Sequence, residues 1–137
     1  METSITKTQY PESERLEFLP KFAGRSFMQF ENRIYSYMSE ACPSYSGGYW
    51  EFFTLSNGGF YMAYDSDERL PMQWEMNGYS GSMGADAASI AVNLMAMAHQ
   101  CETVSGADRE RFASAFHTLR DYAAEHEEAA EIFRFID

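Results

Sequence analysis

Residues 46–67 read SGGYWEFFTLSNGGFYMAYDSD, with seven aromatic side chains in two short runs around Asn57-Gly58-Gly59 and acids at the end. Each run is rich in aromatic and β-forming residues, and Asn-Gly between two such runs is a strong hairpin signal. The spacing predicts two antiparallel strands, Tyr49 to Leu55 and Phe60 to Tyr64. Alternation sends Trp50, Phe52 and Thr54 to one face and Tyr49, Glu51, Phe53 and Leu55 to the other. Both faces therefore carry rings. One packs on helices, and the other needs a second cover or a partner.

Outward from the hairpin, apolar residues recur at helical spacing from Gly24 to Ala41 (Phe27, Phe30, Ile34, Tyr37, Met38, Ala41), and Cys42-Pro43 ends the run. Before it, Leu16, Phe18 and Leu19 predict a short helical turn stopped by Pro20. The polar residues 1–11 read as a frayed, disordered tail. After the turn Asp65–Glu68 a third strand is expected over Met72 to Met76, with Pro71 keeping its start at a sheet edge. The segment 77–84 reads as a Gly-rich loop with room for a short strand. Three helices close the chain. Ala85 to Cys101 carries Ile90, Leu94, Met97 and Cys101 on one stripe, with Asp86 at the positive end of the helix dipole. Ser105–Asp108 caps the next helix (Phe112, Phe116, Leu119), and the last carries Ala129, Ile132, Phe133 and Ile136. The expected class is α+β: a single domain, 12–137, in which a small antiparallel sheet of about three strands, the hairpin at its centre, packs with about four helices.

The 137 residues, 45% hydrophobic and 16% aromatic, suffice for one core and not for two. The net charge of −11 is unevenly spread: residues 1–40 hold 6 acids and 5 bases, residues 41–104 hold 7 and 1, and residues 105–137 hold 8 and 4. Without a basic patch, direct contact with nucleic acid or an anionic membrane is not expected. No apolar run approaches the ~20 residues of a membrane span, and the polar start lacks the regions of a secretory signal. The reading is a cytoplasmic protein whose Cys42 and Cys101 are free thiols.

No cofactor or metal site is expected. His99 and Cys101 stand two apart on a helix, and His117 and His126 nine apart, so no pair has ligand spacing. Cys42 lies at a helix C-terminal end, where the dipole disfavours a thiolate. No strand–turn–helix surrounds Ser56, and the glycines at 78–84 precede an acid where a phosphate would sit. The carboxylate pairs Glu51 with Glu75 and Asp65 with Asp67 are of a kind that any acidic chain offers. No catalytic residue is assigned. A DNA mimic would need about 20 charges along one ~34 Å turn, at one per ~1.7 Å, and all 21 acids of this chain are dispersed. A local acidic patch of Asp65, Asp67, Glu68 and Glu75 is the form such an interaction would take. Glu31 lies on the apolar stripe of its helix, four after Phe27 and three before Ile34. An unpaired buried charge costs several kcal/mol, so an ion pair with Arg15 or Arg25 is expected.

The runs Arg15–Pro20, Phe27-Met28 with Glu31, Gly47–Phe52 and above all Leu55–Ala63 (LSNGGFYMA) resemble the antirestriction proteins carried by plasmids and genomic islands. The similarity continues through Ala85–Ala88 and Leu119–Ala123. It departs at Tyr64, where a proline is expected. The resemblance implies a protein of mobile genetic elements that relieves restriction by type I restriction-modification enzymes, protecting incoming unmodified DNA, without cofactor or catalytic residues. The expected partner is the type I enzyme or an associated host protein, met by a monomer. Candidate contact residues are Arg15, Glu31, Trp50, the acidic group above, and Tyr49, Tyr64 and Trp74 as exposed rings, since aromatics are favoured at binding hot spots. The alternative is a hydrolase acting on a restriction component, with Cys42 or Glu51 and Glu75 at its site.

Overall fold

The computed structural model describes residues 4–137. The hairpin forms as β2 (Trp50–Leu55) and β3 (Phe60–Tyr64), antiparallel, with Trp50 opposite Tyr64 and Phe53 opposite Tyr61. Its turn is pinned to the body of the protein. Asn57 Oδ1 accepts the Gly59 N–H at 3.1 Å, while its Nδ2 donates to the Thr118 carbonyl at 2.9 Å. A Cβ on Gly59 would lie 2.7 Å from Thr118 Oγ1, so the second glycine permits this close approach.

The expected disordered tail is corrected where it can be seen. Residues 1–3 lie outside the described residues, but Lys7–Gln9 form β1, antiparallel to β2 with Thr8 opposite Thr54. The free edge of β2 supplies the reason: Tyr10 N–H donates to the Phe52 carbonyl and Ser56 N–H to the Thr6 carbonyl, at 2.7 and 2.9 Å. Tyr10 also packs edge-on to Phe18.

Five α-helices are present among the described residues: α1 (Arg15–Ala23), α2 (Phe27–Ala41), α3 (Ala85–Thr103), α4 (Gly106–Ala124) and α5 (Ala129–Ile136). None is long and apolar enough to cross a membrane. Pro20 does not stop α1. Burial of Phe18 and Leu19 before it and Ala23 after it holds the last turn on the core, which offsets the backbone bond that proline cannot make.

Helix α3 is the axis of the fold. From Ala85 to Met97 every residue except Asp86 is buried, so the single-stripe reading gives way to a helix packed all round. Two of its three buried polar side chains, Ser89 and Asn93, are one turn apart and face the outer edge of β3. Asn93 Oδ1 accepts the Met62 N–H at 3.2 Å, and Asn93 Nδ2 donates to the Met62 carbonyl at 2.8 Å. Ser89 Oγ accepts the Tyr64 N–H at 2.9 Å and donates to the Ala85 carbonyl. Side chains of a helix thus take the place of a fourth strand.

This closure divides the sheet. The expected third strand is β4 (Arg69–Trp74); with the edge of β3 occupied, it pairs with β5 (Tyr79–Gly84) in a separate two-stranded sheet, Leu70 opposite Met83 and Trp74 opposite Tyr79. A one-turn 3-10 link, Glu75–Asn77, joins them, so the strand ends at Trp74 and not at Met76. The Gly-rich segment is strand for most of its length, and Gly81 stands where a Cβ would come within 2.5 Å of the Tyr79 hydroxyl. The class is α+β, in one domain, with three strands in one sheet and two in the other.

Replacing Asn93 by alanine strands a buried N–H and C=O of β3. Urea unfolding of Asn93→Ala should show a loss of about 2–4 kcal/mol; a loss below about 0.5 kcal/mol would mean that the edge is held by apolar packing alone.

Candidate functional site

Five of the sequence-predicted residues meet at one end of the hairpin. The Arg15 guanidinium, on the first turn of α1, donates to the Tyr49 hydroxyl at 2.9 Å and to the Trp50 carbonyl at 3.0 Å, and lies 4.6 and 4.8 Å from the ring centres of Tyr49 and Phe52. Tyr49, 43% exposed, donates to Glu12 Oε1 at 2.7 Å, and this bond holds its phenol above the usual range. Trp50 is buried rather than at the surface, donating Nε1–H to the Tyr45 hydroxyl at 3.1 Å, with the rings of Tyr35, Tyr45 and half-buried Tyr64 around it.

Glu31 is half-buried here, but the expected ion pair does not form. Its carboxylate accepts the Tyr35 hydroxyl at 3.1 Å, one turn along the same helix, so a neutral donor satisfies the charge without a cation. Arg25 pairs with Asp108 at 3.1 Å, and the donors of Arg15 are taken by Tyr49 and Trp50. Burial first, and then the Glu31 carboxylate, push the Tyr35 phenol well above its ordinary range.

The remaining candidates lie elsewhere. Trp74, expected to be exposed, is buried, in contact with Tyr37 and Phe135. Asp65, Asp67 and Glu68 sit in the β3–β4 turn, while Glu75 lies beyond the far end of β4. A six-residue strand spans about 20 Å, so these acids form two separate groups and no single patch. Nor do the alternative catalytic residues assemble. Cys42 is buried against Ser44, burial raises the Cys101 thiol, and Glu51 stands in β2 of the three-stranded sheet while Glu75 is on the 3-10 link that follows β4. Among the described residues no three His, Cys, Asp or Glu side chains gather with metal-binding geometry.

A cluster that the sequence did not disclose centres on Asp86. Its Oδ1 accepts the Tyr61 hydroxyl at 2.7 Å and Lys7 Nζ at 3.3 Å, and its Oδ2 lies 3.0 Å from His126 Nε2. His126 Nδ1 accepts the Glu128 N–H at 3.0 Å, which assigns the ring hydrogen to Nε2, donating to Asp86. Partners 79, 25 and 40 residues away gave no local signal. An Asp, a His, a Tyr and a Lys together suggest acid–base chemistry, yet both Asp86 oxygens and both His126 nitrogens are bonded within the protein. The cluster ties β1, β3 and the α4–α5 link to the first turn of α3. Burial alone would raise the Asp86 carboxyl, but the bonds from His126, Tyr61 and Lys7 outweigh it and hold the group below its ordinary value of 3.8. A carboxyl depressed in the folded state adds stability that is fully present above the unfolded value and is lost as pH falls through the lower, folded one. Thermal unfolding should therefore weaken below pH 3.8 less steeply in Asp86→Asn than in the wild type; identical acid limbs would refute the coupling.

The fold and these residues can now be set beside known proteins. A family model described as antirestriction protein matches residues 43–137. The chain is 42% identical over 137 residues to an antirestriction protein KlcA of Escherichia coli, with 97% of this chain and 94% of that protein covered. It is 38% identical over 141 residues to the protein YafX of Escherichia coli K12, covering 99% and 90%. Its structure matches, at a TM-score of 0.90 and 39% identity over 100% of this chain and 98% of the other, one from a study of the KlcA and ArdB proteins, described as having a novel fold and antirestriction activity against type I DNA restriction systems in vivo but not in vitro. The chain belongs to the antirestriction protein family.

Proposed function

We propose that this protein relieves restriction by type I DNA restriction systems through contact with a protein of that system or of the host, without catalysis and without copying the shape of DNA. The observation that carries the reading is the full-length likeness to the KlcA and ArdB structure, at a TM-score of 0.90. Activity of those proteins in vivo but not in vitro supports a route through a component that a purified assay lacks.

The geometry supports the rest. The polar groups that most resemble catalytic machinery, around Asp86 and His126, are used in holding the fold. The acids of the β3–β4 turn and Glu75 stand too far apart for a continuous phosphate-like row. The Arg15, Glu31, Tyr49 and Trp50 network likewise spends its donors internally, which makes it scaffold for the hairpin.

Plating of unmodified phage on cells carrying a type I system, with host DNA methylation followed in parallel, tests the reading. The expected result is relief of restriction with methylation intact, kept by the Cys42→Ser, Cys101→Ser double variant. Absence of relief at good soluble expression would overturn it.

A further inference from the structure

The surface around Trp74 and Met76 is built differently from that around Arg15 and Tyr49. Between the β4–β5 link and α3, α4 and α5 lies a cavity of about 220 Å³ walled by Trp74, Leu94, Met95, Phe116 and Ile136. At its mouth Met76, on the 3-10 link, is 90% exposed. A second hollow, a trough of about 510 Å³, adjoins it at Met76, sharing Trp74 and His99 and edged by Glu40, Gln73 and Glu75. An unbranched, polarizable side chain standing free between two hollows suits an adaptable contact surface.

Some polar groups of this face are bonded to one another and others keep free capacity. Arg33 donates to the Tyr37 hydroxyl at 3.2 Å, and Tyr37 lies 2.6 Å from His99 Nδ1. With the Tyr37 hydrogen directed to Nδ1, the His99 ring hydrogen is on Nε2, which has no partner among the described residues. Arg120, at the cavity rim, lies over the Phe133 ring at 5.0 Å and forms no salt bridge among the described residues. Glu40 and Glu75 are exposed and also form none. The contrast with the internally paired network around Arg15 and Tyr49 is what singles this surface out.

Size and charge select the occupant. Sites for drug-sized ligands enclose roughly 300–1,000 Å³; the cavity of about 220 Å³ by itself holds one bulky side chain, and the adjoining hollow of about 510 Å³, edged by acids, receives the polar remainder of the occupant. The acids of the trough want a cation, and a chain of net charge −11 repels a second copy of itself. We propose that this face docks a segment of a partner protein that inserts one large apolar side chain beside Met76, with a lysine or arginine next to it over Glu40 and Glu75. Arg120 and His99 Nε2–H then meet carbonyl or carboxylate oxygens of the same segment. The surface has an apolar pocket inside a charged rim, the arrangement in which a few residues dominate binding. This proposal rests on the antirestriction reading above and names the chemistry of the contact.

Three variants test it in the phage assay, at matched soluble level and with folding checked by thermal unfolding. Met76→Glu puts a charge at the mouth, Ala98→Phe fills the cavity, and Glu40→Lys with Glu75→Lys reverses the trough. Each should lower relief of restriction by at least about tenfold, while the exposed control Glu110→Lys leaves it unchanged. Wild-type relief with all three variants within about twofold of it would overturn the docking face and leave the antirestriction reading standing. Sedimentation of the wild type separates the other occupant: a dimer that Met76→Glu converts to a monomer would make this face a self-interface and refute the basic partner. If the wild type gives no relief, the antirestriction reading fails by itself, and the face is then tested by NMR with the acetylated, amidated peptide Lys-Lys-Phe-Lys-Lys. Saturable shifts at the Trp74 indole and Met76 methyl, absent with Glu-Glu-Phe-Glu-Glu, support it; their absence at millimolar peptide refutes it.

Discussion

The rest of the structure depends on the pair of hydrogen bonds between the buried amide of Asn93 and the backbone of Met62. A short sheet leaves an open row of donors and acceptors at each edge, and an open edge invites pairing with another chain. Here β1 covers one edge and α3 the other, through Asn93 and, one turn earlier, Ser89. A primary amide presents one acceptor and two donors, enough to satisfy both backbone groups of Met62 and to donate to the Ser89 carbonyl as well. Because the edge is closed, the chain after β3 makes a second sheet instead of extending the first. That second sheet, displaced around α3, brings Trp74 and the Met76 link against the far end of α3, where Met95, Ala98 and His99 stand.

The surroundings of Trp50 and of Trp74 differ in how their polar groups are paired. At the hairpin end, aromatic area is used for packing and its polar tips are paired with one another: Tyr49 with Arg15 and Glu12, Trp50 with Tyr45, Glu31 with Tyr35. Desolvated groups bonded in this way rigidify a structure and leave little for a partner to use. The density of rings in residues 46–67 is thus mainly the density of a core, with six of the seven buried or half-buried and only Tyr49 exposed. Around Trp74, burial stops short, leaving an exposed methionine, a cavity and, among the described residues, acids that form no salt bridge. This surface has the mixture of apolar anchor site and charged rim found at recognition sites.

Much of the fold was legible because its signals are local. Asn57-Gly58 between two aromatic runs announces a hairpin, and the spacing of Phe30, Ile34 and Met38 announces α2. The failures share a physical cause, the dominance of tertiary contacts over local preference. Pro20 reads as a helix stop unless one knows that Ala23 is buried beyond it. Lys7–Gln9 is too short for any period to show, and becomes strand only because β2 offers an edge. The glycines at 78, 81 and 84 read as loop, whereas Gly81 answers a close approach by Tyr79 and Glu131. Of the candidate contact residues, Arg15, Glu31, Tyr49, Trp50 and Tyr64 lie together in the structure, but neither that proximity nor their exposure and pairing was readable from the sequence. The Glu31–Tyr35 bond lies at i, i+4 on one helix face, where a neutral hydroxyl serves a carboxylate as a cation would. The Asp86 cluster joins segments with no relation in sequence, and the importance of Asn93 is visible only once it is known which strand edge faces it.

The claim on which this account turns is that a helix serves β3 as its missing strand. Native-state hydrogen exchange of the Met62 and Tyr64 amides measures it directly, since both point to the nominal outer edge of the hairpin. The account predicts that both exchange only through global unfolding, as slowly as the most protected amides of α3. Fast exchange by local opening, at the rate of an uncovered edge, would contradict it.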